Sequence, residues 1–117
     1  MRERILEISY KERLSHLGSV LTALPSIEAI YRVKKPEEKF VLSSGHTALA
    51  LYVVLEKYGG RNAEEIFAHH GVHPDRCTEC GLDCSSGSLG QGLPIAVGMA
   101  LAEKNKPLRF KRSVYCL

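Results

Sequence analysis

Apolar residues recur along this chain in two rhythms, one suited to helices and one to short buried strands. Ile5, Leu6, Ile8 and Leu14 stand among Glu, Lys and Arg at a spacing of about 3.6, which predicts a helix over residues 3–14. Residues 18–31 predict a second, carrying Val20, Leu21, Leu24, Ile27, Ile30 and Tyr31. Pro25 either kinks that helix or marks its true first turn. Pro36, among charged residues, predicts a turn. Phe40-Val41-Leu42 is short and wholly apolar, as a buried strand is. It ends at Ser43-Ser44-Gly45, where a helix carrying Ala48 to Tyr58 starts and Gly59-Gly60 stops it.

Asn62 is placed to cap a short helix ending near His70-Gly71, with Glu64 and Glu65 in its first turn. Residues 71–88 hold no periodicity and many Gly, Cys, Asp and Ser, which predicts a long loop of the functional or mobile kind. Leu93 to Leu101 is apolar on every side and predicts a buried helix, with Pro94 in its first turn. Ser113 to Leu117 predicts a second buried strand. Strand, helices, strand in that order imply an α/β layer in which helices pack on a short parallel sheet. The 117 residues suit one domain, 1–117, with one modest core.

Composition narrows the function classes. Hydrophobic residues at 44% and charged residues at 25% are those of a folded globule. The net charge is +3, and the densest basic stretch, Lys104, Lys106, Arg109, Lys111 and Arg112, lacks stacking aromatics, so a solvated face rather than nucleic-acid binding is expected. No apolar run is long enough to cross a membrane. Met1-Arg2-Glu3-Arg4-Ile5 moves straight into mixed charge, unlike a signal peptide, so a cytoplasmic location is expected. The four cysteines are then expected to be reduced.

Three segments could carry chemistry. Gly45 permits a tight turn at the end of the first strand, and the helix after it offers unpaired N–H groups to an anion beside the imidazole of His46. Ser44-Gly45-His46 is too short to specify a ligand, and a capped helix beside a surface histidine is the simpler account on spacing alone. Gly87-Ser88-Leu89-Gly90-Gln91-Gly92 lets a ligand touch main chain, although close helix packing explains it equally, with Gly98 as another small contact. Its glycine spacing is not the dinucleotide fingerprint. In the third segment, His73, Cys77, Cys80 and Cys84 could supply four zinc ligands. They crowd into a single stretch, whereas structural zinc sites draw pairs from separated segments, so no metal ligand is assigned and free thiols are expected. A redox CxxC would head a helix after a strand, which this loop does not.

In order along the chain these pieces resemble the transketolase family. Ser15-His16-Leu17-Gly18-Ser19 matches its Gly-His-x-Gly-Ser segment without the first Gly. Phe40 to His46 matches its FVLSxGH strand and turn, and Leu49-Ala50-Leu51-Tyr52 the helix that follows. Gly71-Val72-His73-Pro74-Asp75, Gly87 to Leu93 and Ala96 to Ala100 complete the set. Deoxyxylulose-phosphate synthases share the early His and the Gly-Ser-Leu-Gly segment but lack FVLSxGH. The resemblance implies a partial thiamine-diphosphate-binding fold and transfer of a two-carbon ketol unit between sugar phosphates. It implies that His46 contacts the cofactor diphosphate, that His16 and His73 face the reacting end, and that Gly87, Ser88 and Leu89 meet the cofactor rings through main chain.

In the family the last strand runs into a Gly-Asp-Gly motif whose Asp begins a magnesium site. This sequence ends at Leu117, ahead of that motif and of the domain supplying the cofactor-activating Glu. The resemblance therefore implies thiamine diphosphate with magnesium in the complete enzyme, metal ligands outside this chain, and a homo-oligomer. A separate chain would supply the remaining domains. The chain alone is expected to be catalytically silent. A non-enzymatic remnant serving as an interaction or metal-binding module is the alternative.

Overall fold

A computed structural model describes residues 1–117, the side chain of Phe110 excepted. Five helices and two strands follow in the order α1 (Arg2–Lys11), α2 (Leu17–Val33), β1 (Lys39–Val41), α3 (Ala48–Gly59), α4 (Ala63–His70), α5 (Gly92–Lys104) and β2 (Val114–Cys116). Single 3₁₀ turns precede α3 at Gly45–Thr47 and β2 at Leu108–Phe110. The strands pair in parallel, Lys39 with Val114, Phe40 with Tyr115 and Val41 with Cys116. The chain is thus an α/β unit with helices packed on a short parallel sheet.

The centre of the core is α3. Every residue from Ala48 to Leu55 is buried, because α1, α2 and α4 all pack against it. Strand alternation divides the apolar residues of β1 and its end between two faces. Phe40 and Leu42 join the cluster of the first four helices, and Tyr115 packs on the same cluster; Val41, equally buried, lies outside it. Phe40 meets Tyr31 of α2 edge-on, with ring centroids 5.6 Å apart.

Charges tie the helices at their rims. Arg4 of α1 reaches Glu56 at 3.1 Å and Glu64 at 2.8 Å, bridging α3 and α4, while Lys11 also meets Glu64 at 2.8 Å. Glu28 of α2 accepts from Lys57 of α3 and from Arg32, both at 2.9 Å. Asn62 caps α4 through its side-chain oxygen, which accepts from the N–H groups of Glu64 and Glu65.

Pro25 falls inside α2 and does not mark its first turn, so of the two alternatives the interior position holds. Two expectations need correction. The second strand, expected to be buried, is only half-buried at Val114, Tyr115 and Cys116. The helix expected to be buried on all sides, α5, is exposed over most of its surface. Leu93, Val97 and Leu101 stand 61%, 50% and 56% exposed, and Gly92 and Ala96 alone are buried within the helix. Gly92 explains the contact that α5 does make: a Cβ there would lie 2.4 Å from the Ser43 Cα, so only glycine lets α5 approach the end of β1 this closely. The all-round apolar pattern belonged equally to α3, which occupies the centre.

Candidate functional site

The turn after β1 and the loop after α4 meet at glycine. A Cβ on Gly45 would stand 2.6 Å from the Gly87 nitrogen, and one on Gly87 would stand 3.0 Å from the His73 ring. Gly87 also has φ +141°, a conformation that side-chain-bearing residues rarely adopt. Two glycines thus allow the His46 turn, His73 and the start of the glycine-rich segment to pack as one unit.

His16 enters from the other side. It stands at the N-cap of α2 with φ 63° and ψ 16°, left-handed for a residue that carries a Cβ. Such conformations persist where surrounding structure enforces them, and they concentrate at functional sites. The ring centroid of His16 lies 5.7 Å from that of His46, and the Ser15 hydroxyl is 2.9 Å from the His16 Nδ1. When that hydroxyl donates to Nδ1, the proton of the neutral ring sits on Nε2.

His16, His46 and His73 line one cavity of about 260 Å³, together with Arg13, Ser15 and an apolar wall that includes Leu49, Phe67 and Val72. Gly87 abuts this cavity through its contact with His73, and the neighbouring Ser86 hydroxyl is buried without a hydrogen-bond partner among the described residues. Ser88 and Leu89 stand apart from the cavity wall, exposed to solvent, Leu89 to 74%. The structure therefore brings together the three predicted histidines and Gly87, and leaves Ser88 and Leu89 outside. Arg13 and Ser15 were missed by sequence reasoning. The serine directly before His16 was the available signal; Arg13 gave none, because its place depends on a left-handed backbone at φ 52°.

The wall chemistry suits an organic anion. One guanidinium and three imidazoles face the space, with no carboxylate among the lining residues described. That donor set complements a phosphate-bearing cofactor, and the unpartnered Ser86 hydroxyl adds a further donor beside Gly87. It does not suit magnesium, which takes oxygen ligands and carboxylates above all.

The cysteines are arranged differently from the four-ligand set weighed from spacing. All four are free thiols. Cys77 and Cys80 gather with His70, the last residue of α4, and the three ligand atoms lie within 4.8 Å of one another. His73 belongs to the histidine cavity instead, and the Cys84 thiol turns to the Ser85 carbonyl at 3.0 Å. Burial pushes the Cys80 thiol up to about 11, helped by its contact with Cys77, and burial lowers the pKa of His70. A thiol held that high is a poor redox nucleophile.

Against known proteins, the family model for the transketolase thiamine-diphosphate-binding domain matches residues 14–116. The chain belongs to this family. It is similar to one of the subunits of the apulose-4-phosphate transketolase of Phocaeicola vulgatus, 36% identical over 97% of this chain and 46% of that one. It is also similar to the chloroplastic transketolase-1 of Arabidopsis thaliana, 36% identical over 87% of this chain and 16% of the other. Transketolase 1 of Escherichia coli is 34% identical over 64% of this chain and 12% of its own. The chain thus spans less than half the length of each of these relatives. No solved structure matches it.

Proposed function

We propose that this chain is the cofactor-holding, N-terminal part of a transketolase-type enzyme that moves a two-carbon ketol unit between sugar phosphates. The observation that carries this reading is the convergence of His16, His46 and His73, distant in sequence, on one carboxylate-free cavity. Family membership supplies the cofactor, and the Phocaeicola vulgatus relative, itself named as a subunit, supports a second chain that provides the remaining domains.

In this reading His46 donates to the diphosphate of thiamine diphosphate. When bound, the cofactor supplies the electron sink for carbon–carbon cleavage. His16 and His73 flank the reacting end and relay protons as substrate hydroxyls lose and regain them. Ser15 holds the His16 ring through its Nδ1, leaving Nε2 free to face the reacting end. Leu49, Phe67 and Val72 keep water from that wall of the cavity. Gly87, with Ser88 and Leu89 after it, offers main chain to the cofactor rings once the partner domains close over the exposed segment. Magnesium takes its ligands from elsewhere in the complete, homo-oligomeric enzyme. The setting is cytoplasmic, in keeping with four free thiols.

The test is reconstitution. Thiamine diphosphate and magnesium are titrated calorimetrically into the chain alone and into the chain mixed with a second chain bearing the remaining domains, and ketol transfer is assayed in both. Transfer is expected only in the mixture, with His46→Ala weakening cofactor binding and His73→Ala lowering turnover at unchanged binding. Turnover by the chain alone, well above a cofactor-only control, would show that it is complete. Failure of the mixture to bind the cofactor would overturn the assignment.

A further inference from the structure

The loop between α4 and the glycine-rich segment contains a second constellation that ketol transfer does not use. Cys77 and Leu82 face each other as an antiparallel bridge, exchanging hydrogen bonds of 2.9 Å and 2.8 Å. Inside that bridge the chain turns tightly, with Gly81 at φ +79° donating to the Thr78 carbonyl at 3.2 Å. The turn aims both sulfurs the same way, and the Cys80 N–H donates to the Cys77 Sγ at 3.2 Å. An N–H aimed at sulfur fixes the direction of that side chain. Against this turn α4 delivers His70, whose Nε2 lies 3.3 Å from the Cys80 Sγ.

We infer that His70, Cys77 and Cys80 form a binding site for a divalent zinc ion, with water in the fourth position. Zinc takes nitrogen and sulfur ligands tetrahedrally, and bonds of about 2.0 and 2.3 Å place ligand atoms about 3.5–3.8 Å apart. The three atoms already lie within 4.8 Å of one another, so sub-ångström side-chain movements close the site. Two thiolates and a neutral imidazole balance the charge of the ion, releasing the protons the thiols carry. Cys77 and Cys80 line a cavity of about 470 Å³ together with Arg61, Glu65, His69 and Glu79 among others, which gives water access to the fourth position. Arg61 also holds the turn, its Nε donating to the Glu79 carbonyl at 2.8 Å.

Two features separate this set from the one spacing suggested. The histidine is His70, on a helix, so the ion joins a secondary-structure element to the loop, and the thiols come from one rigid turn. His73 lies between the ligands His70 and Cys77 in sequence. The ion therefore closes a short ring that contains His73, and it acts as a clasp holding that side chain at the wall of the histidine cavity.

The whole chain is expressed with added zinc, purified without chelator and analysed for metal. About one zinc per chain is expected, falling at least tenfold in Cys77→Ser and Cys80→Ser and markedly in His70→Gln, while Cys84→Ser retains it. Cobalt exchange gives a fold-independent reading: the unmutated protein should show the intense visible absorption of tetrahedral cobalt and sulfur-to-cobalt charge transfer. Alkylation mapped by mass spectrometry should find Cys77 and Cys80 protected until chelator is added, with Cys84 labelled throughout. No bound zinc, octahedral cobalt, or equal metal loss in Cys84→Ser would each overturn the site.

Discussion

Adding one methyl group to this chain has opposite effects at two glycines, and the difference is set by what each would touch. Gly45 has no left-handed backbone requirement, so alanine can adopt its conformation and space alone decides the outcome. An alanine Cβ there would lie 2.6 Å from the Gly87 nitrogen, 2.8 Å from the Gly87 Cα and 2.8 Å from the Ser86 carbonyl carbon. Non-bonded contacts with carbon settle at about 3.5–4.0 Å, so the two segments must separate by roughly 1 Å. All three atoms are main chain and none can rotate away. Overpacking of this kind costs about 1–3 kcal/mol, and with backbone on both sides the upper part of that range is expected. Gly98, in the middle of α5, has no heavy atom within 4 Å of its added methyl beyond its own helix. There Gly98→Ala removes the entropic penalty of glycine in a helix and stabilises by about 0.5–1 kcal/mol. The two variants should therefore differ by about 3 kcal/mol, which at an ordinary urea slope separates their midpoints by roughly 1–3 M. Urea denaturation followed by circular dichroism at equal slope measures it. A Gly45→Ala variant within about 0.5 kcal/mol of the parent would refute the close approach at the histidine cavity. A destabilised Gly98→Ala would refute the exposed position of α5.

Two further outcomes follow from single contacts. The Tyr52 ring is fully buried and its hydroxyl donates to the Gly71 carbonyl at 3.2 Å, so Tyr52→Phe should cost about 1 kcal/mol in thermal denaturation, and an unchanged midpoint would show the bond contributes nothing. Lys57, then Arg32, hold the Glu28 carboxyl down to about 2, which an NMR titration should read directly and Lys57→Met should raise. Because the folded value is depressed, this carboxylate's contribution is fully present above the unfolded carboxyl range of about 4.3 and is lost as pH falls toward 2. A titration midpoint in the ordinary carboxyl range would refute the pairing between α2 and α3.

Local patterns made most of the fold legible. The helix capped by Asn62, the place of both strands and their parallel pairing were written in residue type and order, although the burial expected of the second strand was not met. Which apolar helix lies at the centre was not. Ala48 to Leu55 and Leu93 to Leu101 have the same all-round apolar character, and their burial is decided by which neighbours fold against them, a long-range property that periodicity does not encode. The convergence of His16, His46 and His73 could be foreseen from ordered motifs at the ends of elements. The metal triad could not be foreseen from spacing, because the turn of α4 that presents His70 and the bridge that turns Cys77 toward Cys80 are products of folding.

The two constellations meet in one loop, and that arrangement has a physical rationale. A segment without helix or strand gains little from its own backbone and loses considerable conformational entropy when ordered. Between His70 and Gly87 the loop is held by a few discrete ties. Pro74 is buried and accepts from Ser86 at 3.0 Å, the Arg76 N–H donates to Ser85 at 2.7 Å, and Asp83 receives Lys39 at 2.7 Å and the Phe40 N–H at 3.0 Å. The Asp83 contacts tie the loop to β1, and the other two join its near and far arms to each other. The near end, where His73 projects to the cavity, is bounded by α4 on one side and the cysteine turn on the other. A zinc ion joining those boundaries adds a direct tie between α4 and the cysteine turn on either side of His73. Placement of His73, and with it the shape of the histidine cavity, then depends on an ion that makes no contact with the substrate.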